Sequence, residues 1–149
     1  MARVRTAALR DADAQRLHGL HPHLADVVTR VLDAMAAYGA PMFITAGLRT
    51  DAQQAALYAQ GRTTPGAIVT NTDGVLKKSM HQMQVDGFGH AVDCAFIDDP
   101  DTKLVETWDA SQPWELYGHM GEQGNLVWGG RWLRLVDRPH LELSLSAKI

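Results

Sequence analysis

Between Pro22 and Pro41 the chain carries one long apolar stripe, and that stripe limits what can be built around it. Leu24, Val27, Val28, Val31, Leu32 and Met35 recur at 3, 4, 7, 8 and 11 residues, the repeat of a helix with one buried side. Pro22 stands just ahead of it, and Gly39 followed by Pro41 closes it. Such a helix needs an apolar surface to lie on, and the sequence supplies strands. Residues 41–46 form an apolar run of strand length, residues 89–96 alternate, and residues 141–145 alternate strictly. Two further helices read as residues 52–60, capped by Thr50 or Asp51, and residues 113–123, with Trp114, Leu116, Tyr117 and Met120. Helices precede most strands and no βαβ rhythm appears. The expected fold is therefore α+β, a small antiparallel sheet with helices packed on it. Residues 63–78 are polar, contain Pro65, Gly66 and Gly74, and read as a long excursion of functional or mobile character. Residues 98–101 read as a turn. No repeat or linker divides the chain, so residues 1–149 read as one domain, with residues 1–20 as a loosely packed N-terminal segment.

Charge and cysteine content narrow the function classes. Seventeen acidic against 14 basic residues give a formal net charge of −3, with no global pull toward nucleic acid or an anionic membrane. Arg10, Asp11 and Asp13 arrive before an apolar region could form, and no run nears the roughly 18 apolar residues of a membrane span. The expectation is synthesis in a cytosol without a signal peptide, no membrane insertion, and release by a holin-type or other helper. The single cysteine, Cys94, excludes an internal disulfide and every multi-cysteine zinc site. A transition metal would have to be held by carboxylates and some of the seven histidines.

Three segments place such residues beside turns at strand ends. They are Ser79-Met-His81, residues 89–93 with Gly-His-Ala-Val-Asp, and Asp137-Arg-Pro-His140 running into the last strand. His81, Asp93 and His140 would make a His₂Asp site, and hydrolytic zinc commonly takes three such ligands and leaves a position for water. Zinc (Zn2+) brings that water to a pKa near 7. A carboxylate must then take its proton, and Asp137, three residues before His140 across a turn, is placed to do so.

With these segments the sequence resembles the M15 family of zinc peptidases, the group of D-Ala-D-Ala carboxypeptidases, dipeptidases and phage endolysins. The Ser-x-His, Gly-x-Ala-x-Asp and acid-x-x-His elements occur in the family's order. The subgroup it is most similar to is the phage L-alanyl-D-glutamate endopeptidases. Residues 46–63, beginning Ala-Gly-Leu-Arg-Thr-Asp, look like that subgroup's arginine segment, and so do residues 65–71 and the Trp128-Gly-Gly-Arg-Trp132 stretch. The resemblance spans residues 21–143. It implies a hedgehog-like, D-Ala-D-Ala-peptidase-like fold with zinc in a cleft at strand ends, ligands His81, Asp93 and His140, and Asp137 as general base. It also implies Arg49 as the cation that steadies the substrate carbonyl and the tetrahedral intermediate. Gln54 and Trp132 are carried as substrate contacts. Two departures stand out. Eleven residues separate His81 from Asp93, five more than the family spacing, as if residues 83–87 were inserted. Arg131 stands where the subgroup more often has an acid.

Blander readings apply elsewhere. His90 would face away from Asp93 if the strand alternates. His18, His21 and His23 read as part of a solvated segment. Glu142 shares a face with His140, as a partner for it or as a rival base. Cys94, adjacent to Asp93, belongs to the opposite, buried face. Trp128 and Trp132 are open between core and cleft. Asp98, Asp99 and Asp101 lack the spacing of a calcium loop. The leading function is a monomeric, zinc-dependent hydrolase of bacterial peptidoglycan, endolysin-like, cutting a stem-peptide amide such as L-Ala-D-Glu. The alternatives are a D,D-carboxypeptidase or dipeptidase and a non-enzymatic, zinc-stabilised wall-binding module.

Overall fold

A strand sequence split around helices has to bring its pieces together by register, and in the computed structural model β2 is where they meet. The structure describes residues 5–99 and 103–144. Its elements are α1 (Ala7–Leu17), α2 (Pro22–Tyr38), β1 (Met42–Ala46), α3 (Asp51–Ala59), β2 (Ala91–Asp99), β3 (Lys103–Thr107), α4 (Trp114–Gln123), β4 (Leu126–Trp128), a 3-10 turn (Gly129–Arg131) and β5 (His140–Leu143). The sheet order is β1-β2-β5-β4, with β3 also paired to β2, and every pairing is antiparallel. This is the α+β architecture expected from the sequence.

The α2 stripe buries Leu24, Val27, Val28, Val31, Leu32 and Met35 against Met42, Ile44, Val92, Cys94 and Phe96 of the sheet. Cys94 is fully buried in that core, and burial pushes its thiol up, far from any reactive thiolate. Helix α3 begins with a capping box. Thr50 accepts the Gln53 N–H, and the Gln53 side chain accepts the Thr50 N–H. In the same core α4 lies against Trp128, which is buried because Gly118 lets the ring come close. A Cβ at position 118 would stand 2.0 Å from Trp128 Cδ2.

The N-terminal segment differs from its expectation. Residues 5–20 are anchored, though by polar groups instead of an apolar stripe, which is why their pattern gave no helix signal. Arg5 and Asp13 form a buried ion pair at 2.6 Å, with side chains 3% and 1% exposed. The other Asp13 oxygen accepts the Ile44 N–H at 2.9 Å, so a side chain closes part of the outer edge of β1. Arg5 and Arg10 also reach Asp33 of α2. Nor are His21 and His23 simply solvated. His21 Nδ1 accepts the His23 N–H at the start of α2, and His23 Nε2 donates to the Gly124 carbonyl at 2.9 Å. Asp98 and Asp99 continue β2 instead of starting a turn; Pro100 and Asp101 lie outside the described residues, as does Leu145.

Removing one partner of a buried ion pair strands the other charge. Asp13→Ala should therefore lower the unfolding free energy by about 3–5 kcal/mol. Arg10→Ala, at the exposed end of the same network, should cost under about 1 kcal/mol. Urea denaturation of the two variants checks the contrast.

Candidate metal centre and its flanking clefts

The register of β2 on β5 pairs Ala91 with Glu142, Val92 with Leu141 and Asp93 with His140. Directly opposed residues of antiparallel strands share a face, so backbone pairing alone sets the Asp93 carboxylate beside the His140 ring. His140 Nδ1 lies 3.3 Å from Asp93 Oδ1. His81 comes from the loop ahead of β2 and is tied to the segment leaving β1. Its Nδ1 donates to the Gly47 carbonyl at 3.0 Å, and its own carbonyl accepts the Arg49 N–H at 2.8 Å. His81 Nε2 then stands 3.3 Å from Asp93 Oδ2, and the two imidazoles meet edge to face at 5.1 Å. One ligand-type atom from each of His81, Asp93 and His140 lies within 4.8 Å of the others, the only such group among the described residues.

The donor set suits a metal ion. Asp93 Oδ1 is buried without a hydrogen-bond partner, a bare acceptor between two rings. Each histidine has one nitrogen fixed elsewhere. Gly47 holds Nδ1 of His81, and Glu142 accepts from Nε2 of His140 at 3.0 Å. In its neutral form each ring would offer its other nitrogen to a metal ion beside Asp93, the arrangement by which outer partners set the tautomer of a metal-binding histidine. Glu142 accordingly acts on His140, and does not project into the cleft as a rival base. Burial opposes charge on Asp93, but the His140 and His81 nitrogens outweigh it and hold its carboxyl well below the usual carboxylate range. Burial works against a charged His140 as well; Asp93 and Glu142 overcome it and push the ring from 6.5 to about 9.

Asp137 arrives through a turn built on its backbone. Its N–H donates to the Gly129 carbonyl, and its own carbonyl accepts the His140 N–H. Trp128 Nε1 donates to the Arg138 carbonyl at 2.7 Å, and the Tyr117 hydroxyl donates to that of Pro139 at 2.6 Å. Gly129 must lack a side chain for this turn to close, since a Cβ there would lie 2.4 Å from the Asp137 carbonyl oxygen. The Asp137 side chain stays 43% exposed, with Oδ2 3.9 Å from His140 Nδ1. Partial burial, reinforced by the Asp93 charge, raises its carboxyl above the ordinary range.

Arg49 is half-buried, and its guanidinium donates to Gln54 Oε1 at 2.8 Å. Burial lowers its pKa, while the charges of Asp93 and Asp137 resist the shift. Gln54 departs from its expected role as a substrate contact. It is fully buried, one amide end on Arg49 and the other donating to the Thr72 carbonyl at 2.8 Å, so it can aim Arg49 but not touch a ligand. The sequence signal for this was weak, because a buried glutamine looks like any polar helix residue. Trp132 sits half-buried with its ring 5.0 Å from His140, at the border of the cluster, whereas Trp128 belongs to the core. His90 stays out of the cluster. The extra residues 83–87 close a turn of their own, in which Asp86 Oδ2 takes His90 Nε2 at 2.7 Å, so the added length leaves His81 opposite Asp93. Arg131, the other departure, pairs with Glu115 and Glu122.

Two clefts reach neighbours of the cluster, one bordered by Arg49 and the other by Asp137. One, of about 550 Å³, runs from Thr45 to Arg49 and across to Gln53, Leu57 and Arg16. The other, of about 350 Å³, is walled by Trp108, Trp114, Val136, Asp137, Arg138 and Pro139.

Comparison with known proteins gives a consistent picture. A Peptidase M15 family model described as D-alanyl-D-alanine carboxypeptidase matches residues 74–143. The peptidoglycan L-alanyl-D-glutamate endopeptidase CwlK of Bacillus subtilis (strain 168) is 32% identical over 132 residues, covering 83% of this chain and 73% of that protein. The crystal structure of the Serratia marcescens L-Ala D-Glu endopeptidase ChiX matches with a TM-score of 0.65 at 24% identity, covering 96% of this chain and 92% of the other. The vancomycin-resistance D,D-dipeptidase VanXYg, solved with a D-Ala-D-Ala phosphinate analog, matches at a TM-score of 0.55 and 14% identity, over 83% of this chain and 50% of that one. The two structural matches share the fold.

A metal held by His140 would compete with the proton that Asp93 and Glu142 favour there, the ring being pushed up to about 9. Apparent zinc affinity should therefore climb about tenfold per pH unit from pH 7 toward 9 and then level off, as one proton is released per metal bound. Competition with a chromogenic chelator across that range measures it. The same ion pairs stabilise the metal-free chain fully below about pH 6.5 and fade as pH rises through about 9.

Proposed function

This chain belongs to the M15 peptidase family, and on that premise we propose that it is a zinc-dependent peptidoglycan endopeptidase that hydrolyses the L-Ala-D-Glu bond of the stem peptide. The observation that carries the reading is the His81, Asp93 and His140 cluster together with two clefts, one bordered by Arg49 and the other by Asp137. A peptide chain that continues in both directions from the cut needs both clefts, whereas a carboxypeptidase needs room on one side only.

His81, Asp93 and His140 would hold the metal, and zinc there supplies a Lewis acid and a water that ionises near neutral pH. The rest of the chemistry belongs to the protein. Asp137 takes a proton from the attacking water and passes it to the leaving amine; its raised carboxyl is a stronger base than an ordinary aspartate. Arg49 donates to the carbonyl oxygen as negative charge builds there, and Gln54 keeps its guanidinium aimed. Water oxygen joins the carbonyl carbon, the C–N bond breaks, and a carboxylate and an amine result. Trp132 walls the path beside His140. In the same reading the enzyme is a monomer and serves wall lysis of the endolysin kind, delivered to the wall by another protein.

The D,D-carboxypeptidase reading takes its support from the description of the matching family model. New chain ends decide between the two. Mass spectrometry of fragments released from defined peptidoglycan should show L-Ala carboxyl ends and D-Glu amino ends; release of D-Ala alone would select the carboxypeptidase.

Two variants test the assigned roles. Asp137→Ala should keep its metal while turnover falls about 10²- to 10⁴-fold. Loss of the metal as well would make Asp137 a ligand. Gln54→Ala should lower kcat about tenfold with KM little changed, since it disturbs the aim of Arg49 and no substrate contact. Steady-state kinetics with metal analysis of each purified variant read both.

A further inference from the structure

A peptidase that recognises glutamate beside the cut bond needs a cation for it, and two exposed arginines stand at the clefts, Arg16 at the one that Arg49 borders and Arg138 at the one that Asp137 borders. Arg62 is engaged by the Tyr58 and Thr70 carbonyls and by Asn71, with its guanidinium 4.0 Å above the Tyr58 ring. Arg131 is neutralised by Glu115 and Glu122. Arg49 faces Asp93 and Asp137 and is held by Gln54. Arg138 is different. It is exposed, it lines the cleft that Asp137 shares, and its side chain has no hydrogen bond or ion pair among the described residues. Its carbonyl is bound by Trp128, which fixes its backbone and, among the described residues, leaves the guanidinium without a partner.

The direction of the substrate follows from proton transfer. The group that takes the water's proton hands it to the leaving amine, so that amine lies next to Asp137. The residue carrying the amine must then enter the cleft that Asp137 borders. Opposite Arg138 that cleft offers an aromatic wall. Trp108 is 46% exposed because it is stacked on Trp114, 6.4 Å away and within 10° of parallel, and Trp114 is anchored by its Nε1 donating to the Asp109 carbonyl. D-Glu has two carboxyl groups and the stem peptide extends through one, leaving a free carboxylate on the residue whose amine departs.

We propose that the cleft between Trp108 and Arg138 is the subsite for the leaving-side residue, with Arg138 pairing with its free carboxylate and Trp108 and Val136 packing its methylenes. Arg138 is then a specificity-determining residue that takes no part in bond making. The proposal rests on the L-Ala-D-Glu reading above, and it adds a requirement that reading does not contain: the enzyme should reject a stem whose glutamate carboxylate has been converted to a carboxamide.

The test uses the zinc-loaded full chain and two muropeptide probes, identical except that the free glutamate carboxylate is intact in one and amidated in the other. A charged hydrogen-bonded pair is worth enough for the native chain to favour the carboxylate probe about 10- to 100-fold in kcat/KM. Arg138→Gln should reduce that ratio to near one by raising KM for the carboxylate probe, with the amidated probe cut as before. Arg138→Lys should restore part of the preference, and Arg134→Gln, on the same loop but outside the cleft, should leave it intact. A ratio unchanged in Arg138→Gln, or an equal loss on both probes, overturns the proposal. New chain ends at a bond other than L-Ala-D-Glu in the native digest overturn the functional reading itself and the subsite with it, so the two failures are distinguishable.

Discussion

If β5 slipped by one residue along β2, Asp93 would lose its place opposite His140 and the centre would come apart. Side chains alternate along a strand, so a slip also turns the apolar set of β5 away from α2 and α4, and Leu141 and Leu143 hold the register by being fully buried. The core and the candidate site are therefore enforced by one pairing. His81, on a loop and free of that constraint, is recruited by two hydrogen bonds to Gly47 and Arg49. Those bonds also tie the first histidine to the backbone of the arginine on the substrate side.

Charge is placed as deliberately as backbone. In a chain of net charge −3, Asp93, Asp137 and Glu142 gather around two histidines and one half-buried arginine. Burial and then the Asp93 charge raise the carboxyl of Asp137, while Asp93 and Glu142 raise the imidazole of His140 against the effect of burial. A divalent ion relieves both. The acidic balance that gives no attraction to an anionic polymer thus has a local use.

Much of this was legible in the sequence where one physical rule dominates. The α2 stripe and the alternation of β5 are solvent-partition patterns, and both elements lie where those patterns fall. The three segments whose side chains meet at His81, Asp93 and His140 were legible because few side-chain types suit a metal. What escaped was held by polar burial. Helix α1 buries only Leu9 and Asp13 of its own residues, so no apolar period marks it. The three-residue β4 is too short to alternate visibly. Gln54 and His23 act through hydrogen bonds that no local pattern marks, Gln54 to Arg49 and Thr72 and His23 across the fold to the Gly124 carbonyl. Strand β3 follows residues 98–101, which read as a turn, and its five residues carry no strict alternation to mark a strand.

The turn from Asp137 to His140 is gripped by its carbonyls. Trp128 and Tyr117 hold the backbone at Arg138 and Pro139, and neither touches what the residue at 138 presents to solvent as a condition of its hold. Position 138 is thereby uncoupled from the geometry of its neighbours: evolution can exchange its side chain without moving Asp137 or His140. A scaffold of this kind can drift from one cell-wall chemistry to another by single substitutions, keeping its catalytic centre while it changes its taste.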